Sequence, residues 1–135
     1  MTQRTLVLLK PDAVKRGLVG NILSRFEAKG LSIVAMEQRT IDGDTADRHY
    51  AEHLDKAFYP PLRDFVTSGP LVALVIQGES AVDVVRGLNG ATDGRVAAPG
   101  TIRGDLSLSN RENLVHGSDS PESAEREITI WFPGL

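Results

Sequence analysis

The pattern of apolar and polar positions divides the chain into elements. In RTLVLLKPD, residues 4–12, a run of apolar side chains ends at Lys10-Pro11, which reads as a buried strand cut off by proline. In VGNILSRFEAKG, residues 19–30, Val19, Ile22, Leu23 and Phe26 recur at helical spacing and Gly30 supplies the stop. LSIVAMEQRT, residues 31–40, is apolar and β-branched without a helix breaker and reads as a second strand. Residues 42–53 fit a helix capped by Asp42 or Asp44. PPLRDFVTSGP fits a short helix opened by proline and closed by Gly69-Pro70. LVALVIQG, residues 71–78, is almost wholly apolar, as a central strand covered on both faces would be. Ser80 stands where it would cap the next helix, which should run to about Gly87. Residues 87–111 are glycine-rich and carry little periodicity, and so long a loop in a compact domain is often functional. A short strand at 114–116 and a helix from Pro121 follow, with Ala124, Ile128 and Trp131 on one helix face.

The resulting order is β-α-β-α-α-β-α-loop-β-α. It predicts an α+β fold: a ferredoxin-like βαββαβ antiparallel sheet with added helices and a long glycine-rich loop. Residues 1–135 are expected to form one domain, since 135 residues can bury a core without disulfide or metal staples. The plan hosts many functions, so function has to be read from sites.

Composition removes several classes of chemistry. There are no cysteines, which excludes disulfides, thiolate zinc sites and cysteine nucleophiles. A net charge of -3 shows no basic bias toward nucleic acid, so cations that bind an anionic substrate must be gathered locally. The first apolar run is too short for a signal peptide, and no run approaches a membrane span, so a cytoplasmic location without membrane contact is expected.

Neither a P-loop nor a strand-linked GxGxxG occurs; Gly87, Gly90 and Gly94 have the wrong spacing. His116 is the stronger chemical signal. It sits at a strand end, followed by Gly117, Ser118, Asp119 and a proline-opened helix. Imidazole is partly neutral near pH 7 and can attack phosphorus, and helix-start N–H groups favour a nearby anion. The same residues also suit a structural histidine beside an N-cap, and local features leave both readings open. Lys10 is either a cleft cation or a solvated strand-end lysine. Arg86 ends a helix, where it suits the dipole in any case, and Arg103 lies within the long loop. His49 and His53, four apart, suggest a solvated helix face before a metal site, because the glutamate of the zinc motif is missing. Phe58 could stack on a base if exposed or anchor a loop if buried.

Taken together, the segments resemble nucleoside diphosphate kinases over essentially the whole chain. The most specific part is Asn113-x-x-His116-Gly117-Ser118-Asp119-Ser120; LLKPDAVKRGLVGNI, TSGPLVALV, PGTIRGD and SDSPESAEREITIWF fall in the family's order. The resemblance implies reversible transfer of a terminal phosphate from a nucleoside triphosphate to a nucleoside diphosphate, in ping-pong fashion through a phosphohistidine on His116. It implies Lys10, Arg86, Arg103 and Thr92 as phosphate contacts and Asn113 at the ribose and phosphate end. Tyr50 would lie near Lys10, Phe58 would stack on the base, and Ser118 and Glu127 would orient His116. Mg²⁺ would arrive with the nucleotide, with no side chain as its direct ligand.

Gly94 stands where the family commonly has proline, in the loop associated with subunit contacts, and is expected to loosen that loop and weaken assembly. The chain ends at WFPGL, whereas longer family tails run between subunits. A homo-oligomer is expected, a hexamer first, with tetramer or dimer open. Two competing readings are a ferredoxin-like ligand-binding module, which leaves the His116 turn unexplained, and a nucleic-acid binder. The net charge and 5% aromatic content argue against nucleic acid as the main partner.

Overall fold

The computed structural model describes residues 2–135. Strands β1 (Thr2–Leu9), β2 (Ser32–Arg39), β3 (Leu71–Glu79) and β4 (Val115–Gly117) form one sheet in the order β2-β3-β1-β4, every pairing antiparallel. This is the ferredoxin-like arrangement the element order predicts. β1 and β3 lie at the centre, paired from Thr2↔Glu79 to Leu9↔Val72. β4 pairs along β1, with His116 opposite Leu8. The nucleophile candidate is thus mounted on an edge strand held by the buried half of a central strand.

The central strands are apolar on both faces because both faces are covered. Val7, Leu9, Val72, Leu74 and Ile76 pack against α2 (Val19–Ala28) and α5 (Ala81–Asn89) through Ile22, Phe26, Ala81 and Val85. Leu6, Leu8, Leu71 and Ala73 pack on the opposite side against α3 (Gly43–His49), α4 (Tyr59–Val66) and α7 (Pro121–Trp131) through Ala46, Tyr50, Tyr59, Val66 and Trp131.

Several local expectations need correction. Pro11 does more than end a strand: it opens a short helix, α1 (Pro11–Lys15), where its missing N–H costs nothing. The helix expected over 42–53 breaks. α3 is capped by Asp42, whose carboxylate accepts from the Thr45 N–H, and Tyr50 then leaves helical geometry before a 3-10 turn at Ala51–His53. Ser80 does not cap α5 with its side chain. Its φ is 51°, left-handed, and Gln3 Oε1 accepts the Val82 N–H instead. α5 passes through Gly87 and stops at Gly90, whose φ of 86° is the conformation glycine permits.

The glycine-rich stretch also hides a helix, α6 (Ile102–Leu106), capped by Thr101 Oγ1 accepting from the Gly104 N–H. Gly104 is required there, because a Cβ would lie 1.9 Å from the Ala98 carbonyl oxygen. In α7 the buried face is Ala124, Glu127 and Trp131, with Ile128 at its margin.

Gly94 is not a loose point either. It is buried, its N–H donates to the Ser109 carbonyl at 3.1 Å, and a Cβ would lie 2.4 Å from the Ser107 carbonyl oxygen.

Candidate active site

The ends of α3 and α4 together with α5, α6, β4 and α7 converge on a cleft of roughly 390 Å³ at the β4 side of the sheet. Lys10, Tyr50, Phe58, Arg86, Thr92, Arg103, Asn113, His116 and Glu127 all line it. Ser118 lies behind this wall, fully buried. Sequence could suggest each residue separately; their convergence comes from the fold.

His116 projects from β4 beside α7. Its Nε2 lies 2.8 Å from Glu127 Oε1. A carboxylate can only accept, so Nε2 carries the proton and the lone pair is left on Nδ1. Glu127 is itself fixed. Ser118 Oγ donates to the same Oε1 at 2.9 Å, and Ser118 Oγ in turn accepts from the Leu6 N–H at 3.3 Å. The chain Leu6–Ser118–Glu127–His116 therefore ties the imidazole to the central strand. α7 brings Glu127 to this point because Ser120 accepts from the Ser123 N–H and Pro121 occupies the first turn.

Lys10 is only 6% exposed, and its ammonium donates to Asn113 Oδ1 at 2.8 Å. Burial first, then the Arg103 guanidinium, pull its pKa down to about 8, with Asp12 opposing them. Asn113 is held in place by its own amide, which donates to the Thr92 and Asn110 carbonyls at 2.9 and 3.0 Å. Arg103, from α6, donates to the carbonyls of Asn113, Gly90 and Val115 at 3.2, 2.9 and 2.6 Å. It clamps the segment that leads into His116, and burial and then Arg86 lower its pKa to about 10. Arg86 is exposed on α5; the Asp119 carboxyl is held low first by the Ser123 side chain and then by the Arg86 charge. Phe58 is 51% exposed and touches His53 edge-on at 5.3 Å, which leaves it available for stacking.

Asp12, His49 and Arg126 belong to the neighbourhood without having been singled out as site residues. Asp12, buried in α1, accepts from the Leu114 N–H at 3.1 Å, and Leu114 holds a left-handed φ of 73°. That contact secures an unusual backbone turn directly before the strand that carries His116. Burial raises the Asp12 pKa, against Lys10. Its position in Lys10-Pro11-Asp12 was the available signal, but nothing local shows that it reaches Leu114. His49 is not on a solvated face: it is 2% exposed and sits against His116 with ring centroids 4.6 Å apart. His53, beyond the break at Tyr50, packs against Phe58 instead.

One donor atom each from His49, His116 and Glu127 lies within 4.8 Å of the others. A metal there would have to displace the proton shared by His116 and Glu127, in a cleft lined by Lys10, Arg86, Arg103 and Arg126. That positive field favours an anion. Among the described residues no group of three carboxylates gathers in the cleft to cage a hard cation, so the residues fit Mg²⁺ as a companion of bound phosphates.

The profile described as nucleoside diphosphate kinase matches residues 3–135. The nucleoside diphosphate kinase of Nocardioides sp. is 82% identical over 135 residues, covering all of both chains. That of Corynebacterium jeikeium is 60% identical, again over the full length of both. Among solved structures, a halophilic nucleoside diphosphate kinase from Halobacterium salinarum in complex with CDP superposes with a TM-score of 0.95 at 49% identity, covering 98% of this chain and 88% of that one. The Aquifex aeolicus nucleoside diphosphate kinase reaches 0.96 at 40% identity, covering 100% and 98%.

Proposed function

The chain belongs to the nucleoside diphosphate kinase family, and from that premise we propose how its own residues move a phosphoryl group. The protein is an enzyme, a phosphotransferase that passes the terminal phosphate of a nucleoside triphosphate reversibly to a nucleoside diphosphate. It works by ping-pong through a phosphohistidine.

His116 is the nucleophile. The observation that carries this assignment is the 2.8 Å contact from Glu127 to Nε2, which leaves the Nδ1 lone pair for phosphorus. As the Nδ1–P bond forms, the P–O bond to the leaving diphosphate breaks and its electron pair stays on the diphosphate oxygen. The Nε2 proton remains with the ring, shared with Glu127, while Ser118 keeps that carboxylate in place. The second half-reaction reverses these steps with another nucleoside diphosphate.

Lys10, Arg86, Arg103 and Thr92 receive the phosphates. Three of the Arg103 N–H groups are held by carbonyls, so the remaining pair of its five serves the substrate. Asn113 both seats Lys10 and reaches the ribose and phosphate end. Tyr50 closes the wall near Lys10. Phe58 stacks on the base, and stacking tolerates every base because each has a π-face. Mg²⁺ arriving with the nucleotide would supply further neutralisation of the phosphate charge that Lys10, Arg86 and Arg103 seat. In a loose transition state, most catalysis is positioning and charge stabilisation of this kind.

We further infer one domain over residues 1–135, a cytoplasmic setting and a homo-oligomer, a hexamer first. Support for assembly comes from β2 at the sheet edge and from exposed Met36, Val96 and Leu108. Among the described residues no helix is long and apolar enough to cross a membrane.

The test is incubation with ATP labelled in its terminal phosphate. Label should appear on His116, be acid-labile and base-stable, and chase onto any added nucleoside diphosphate. A folded His116→Ala protein should bind nucleotide but take no label. Wild-type protein that folds and binds ATP yet never labels would sink the scheme.

A further inference from the structure

His49 lines the cleft but has no task in the transfer scheme. It ends α3, and its surroundings are unusually specific. Trp131 Nε1–H donates to His49 Nδ1 at 3.0 Å. An indole nitrogen can only donate, so the proton of a neutral His49 sits on Nε2. That nitrogen is buried and finds no partner among the described residues. Arg126 donates to the His49 backbone carbonyl at 3.3 Å, which ties this end of α3 to α7. Burial foremost, then the basic side chains facing it, His116, Arg126, Lys10 and His53, disfavour a charged His49 ring. The His49 ring stands nearly perpendicular to that of His116, at 78° and 4.6 Å between centroids.

Glu127 secures His116 at one atom, Nε2. A single hydrogen bond fixes a point and leaves the imidazole free to rock about it, which would sweep Nδ1 across the cleft. A second contact is needed to define the ring plane.

We propose that His49 is a positioning residue for the nucleophile: tethered by Trp131 and packed nearly perpendicular to His116, it fixes the imidazole plane that Glu127 leaves free, and so aims Nδ1 at the phosphorus. The proposal rests on the phosphohistidine reading above. Its neutrality serves the same step. The imidazole gains positive charge as the Nδ1–P bond forms and the Nε2 proton stays, and an uncharged neighbour adds no repulsion. The break at Tyr50 acquires a purpose too. It ends α3 where His49 meets α7, while the following turn carries His53 toward the base end of the cleft.

The test compares His49→Ala, His49→Gln and His49→Phe in the full-length protein. The readouts are the single-turnover rate at which excess labelled ATP phosphorylates His116, and the Kd of a non-hydrolysable triphosphate analogue. His49→Ala should slow labelling by roughly 10–100-fold, the scale of a small misalignment of reacting atoms. Its Kd should stay within about twofold, since a loss confined to the transition state leaves ground-state binding alone. His49→Gln keeps an acceptor for Trp131 but no ring, and should stay slow. His49→Phe restores a ring without the Trp131 tether and should recover part of the rate, above His49→Ala and His49→Gln.

A folded His49→Ala or His49→Gln protein labelling at the wild-type rate overturns the proposal. So does a rate loss matched by lost affinity, the mark of a merely structural disturbance. If His49→Ala does not fold, equal rates in the Gln and Phe variants overturn the role of the ring. Failure of wild-type protein to label at His116 would instead remove the transfer reading itself.

Discussion

Lys10 lies under opposed demands. Its ammonium is buried and faces Arg103, which disfavours the charge, yet the charge is what a phosphate needs. With a pKa of about 8 in the free protein, against 10.5 for an ordinary lysine, the group loses its proton as pH rises through about 8. Nucleotide affinity should therefore weaken above that pH, so KM rises on the alkaline side, and Lys10→Met should flatten the limb while raising KM throughout. Stability moves the other way. Between about 8 and 10.5 the unfolded chain binds more protons than the folded one, so the Lys10 contribution to stability improves as pH climbs through that window. KM profiles and denaturant melts across the same pH range check both signs. Glu127→Gln probes the other half of the site. An amide turned to donate to Nε2 would put the imidazole proton on Nδ1 and block attack. The expected loss in labelling rate is on the order of 10²–10⁴, the scale of a wrong-tautomer histidine. His116, Lys10, Arg86, Arg103 and Phe58 drew attention one at a time, whereas Tyr50, Thr92, Asn113, Ser118 and Glu127 were named only through the family resemblance that the segment 113–120 carries most specifically. Neither route singled out His49 or Asp12 as a site residue. Their importance lies in burial against His116 and Leu114, contacts made across the fold that no local spacing records.

At the scale of elements, α6 and α7 hold the chemistry through their caps. Thr101 accepts the Gly104 N–H and starts the helix that carries Arg103; Ser120 accepts the Ser123 N–H and starts the helix that carries Glu127. Thr101→Ala and Ser120→Ala should each lower stability by about 1 kcal/mol in denaturant melts. Thr101→Ala should also raise KM, since a looser α6 lets the Arg103 clamp move. The two helices differ in how openly sequence declares them. α7 shows a cap, a proline and an apolar stripe over 11 residues. α6 has 5 residues with a glycine among them, too short for periodicity and apparently broken by Gly104. The close approach of the Ala98 carbonyl, with Thr101 Oγ1 beside it, explains that glycine. Ser80 shows the converse. Its residue type fits a cap, but its left-handed backbone leaves the hydroxyl without that role, and Gln3 from β1 answers the helix donor. Strongly periodic segments were readable because one face must be buried; caps and short helices depend on neighbours distant in sequence.

At the scale of the whole molecule, Gly94 decides how the long loop behaves. A glycine in place of proline suggests a slack loop when only chain entropy is considered. Packing reverses that expectation here. The loop 87–111 is held to itself by the Gly94 N–H to the Ser109 carbonyl and by Arg103 to the Gly90 carbonyl, and to the segment that follows it by Asn113 to the Thr92 carbonyl. A Cβ on residue 94 would meet the backbone carbonyl of Ser107, which cannot step aside as a side-chain tip could. Gly94→Ala should therefore destabilise by about 1–3 kcal/mol, as overpacking does. Gly94→Pro should cost more, because it also removes the N–H that satisfies Ser109. Thermal melts of both variants beside wild type check the order wild type, Ala, Pro. If the loop takes part in subunit contacts, the same strain will reach assembly. Mass measurements in solution should then show Gly94→Pro populating smaller species than wild type at equal concentration. A proline variant that melted higher and assembled as well as wild type would mean that the tight packing around Gly94 does not govern this loop.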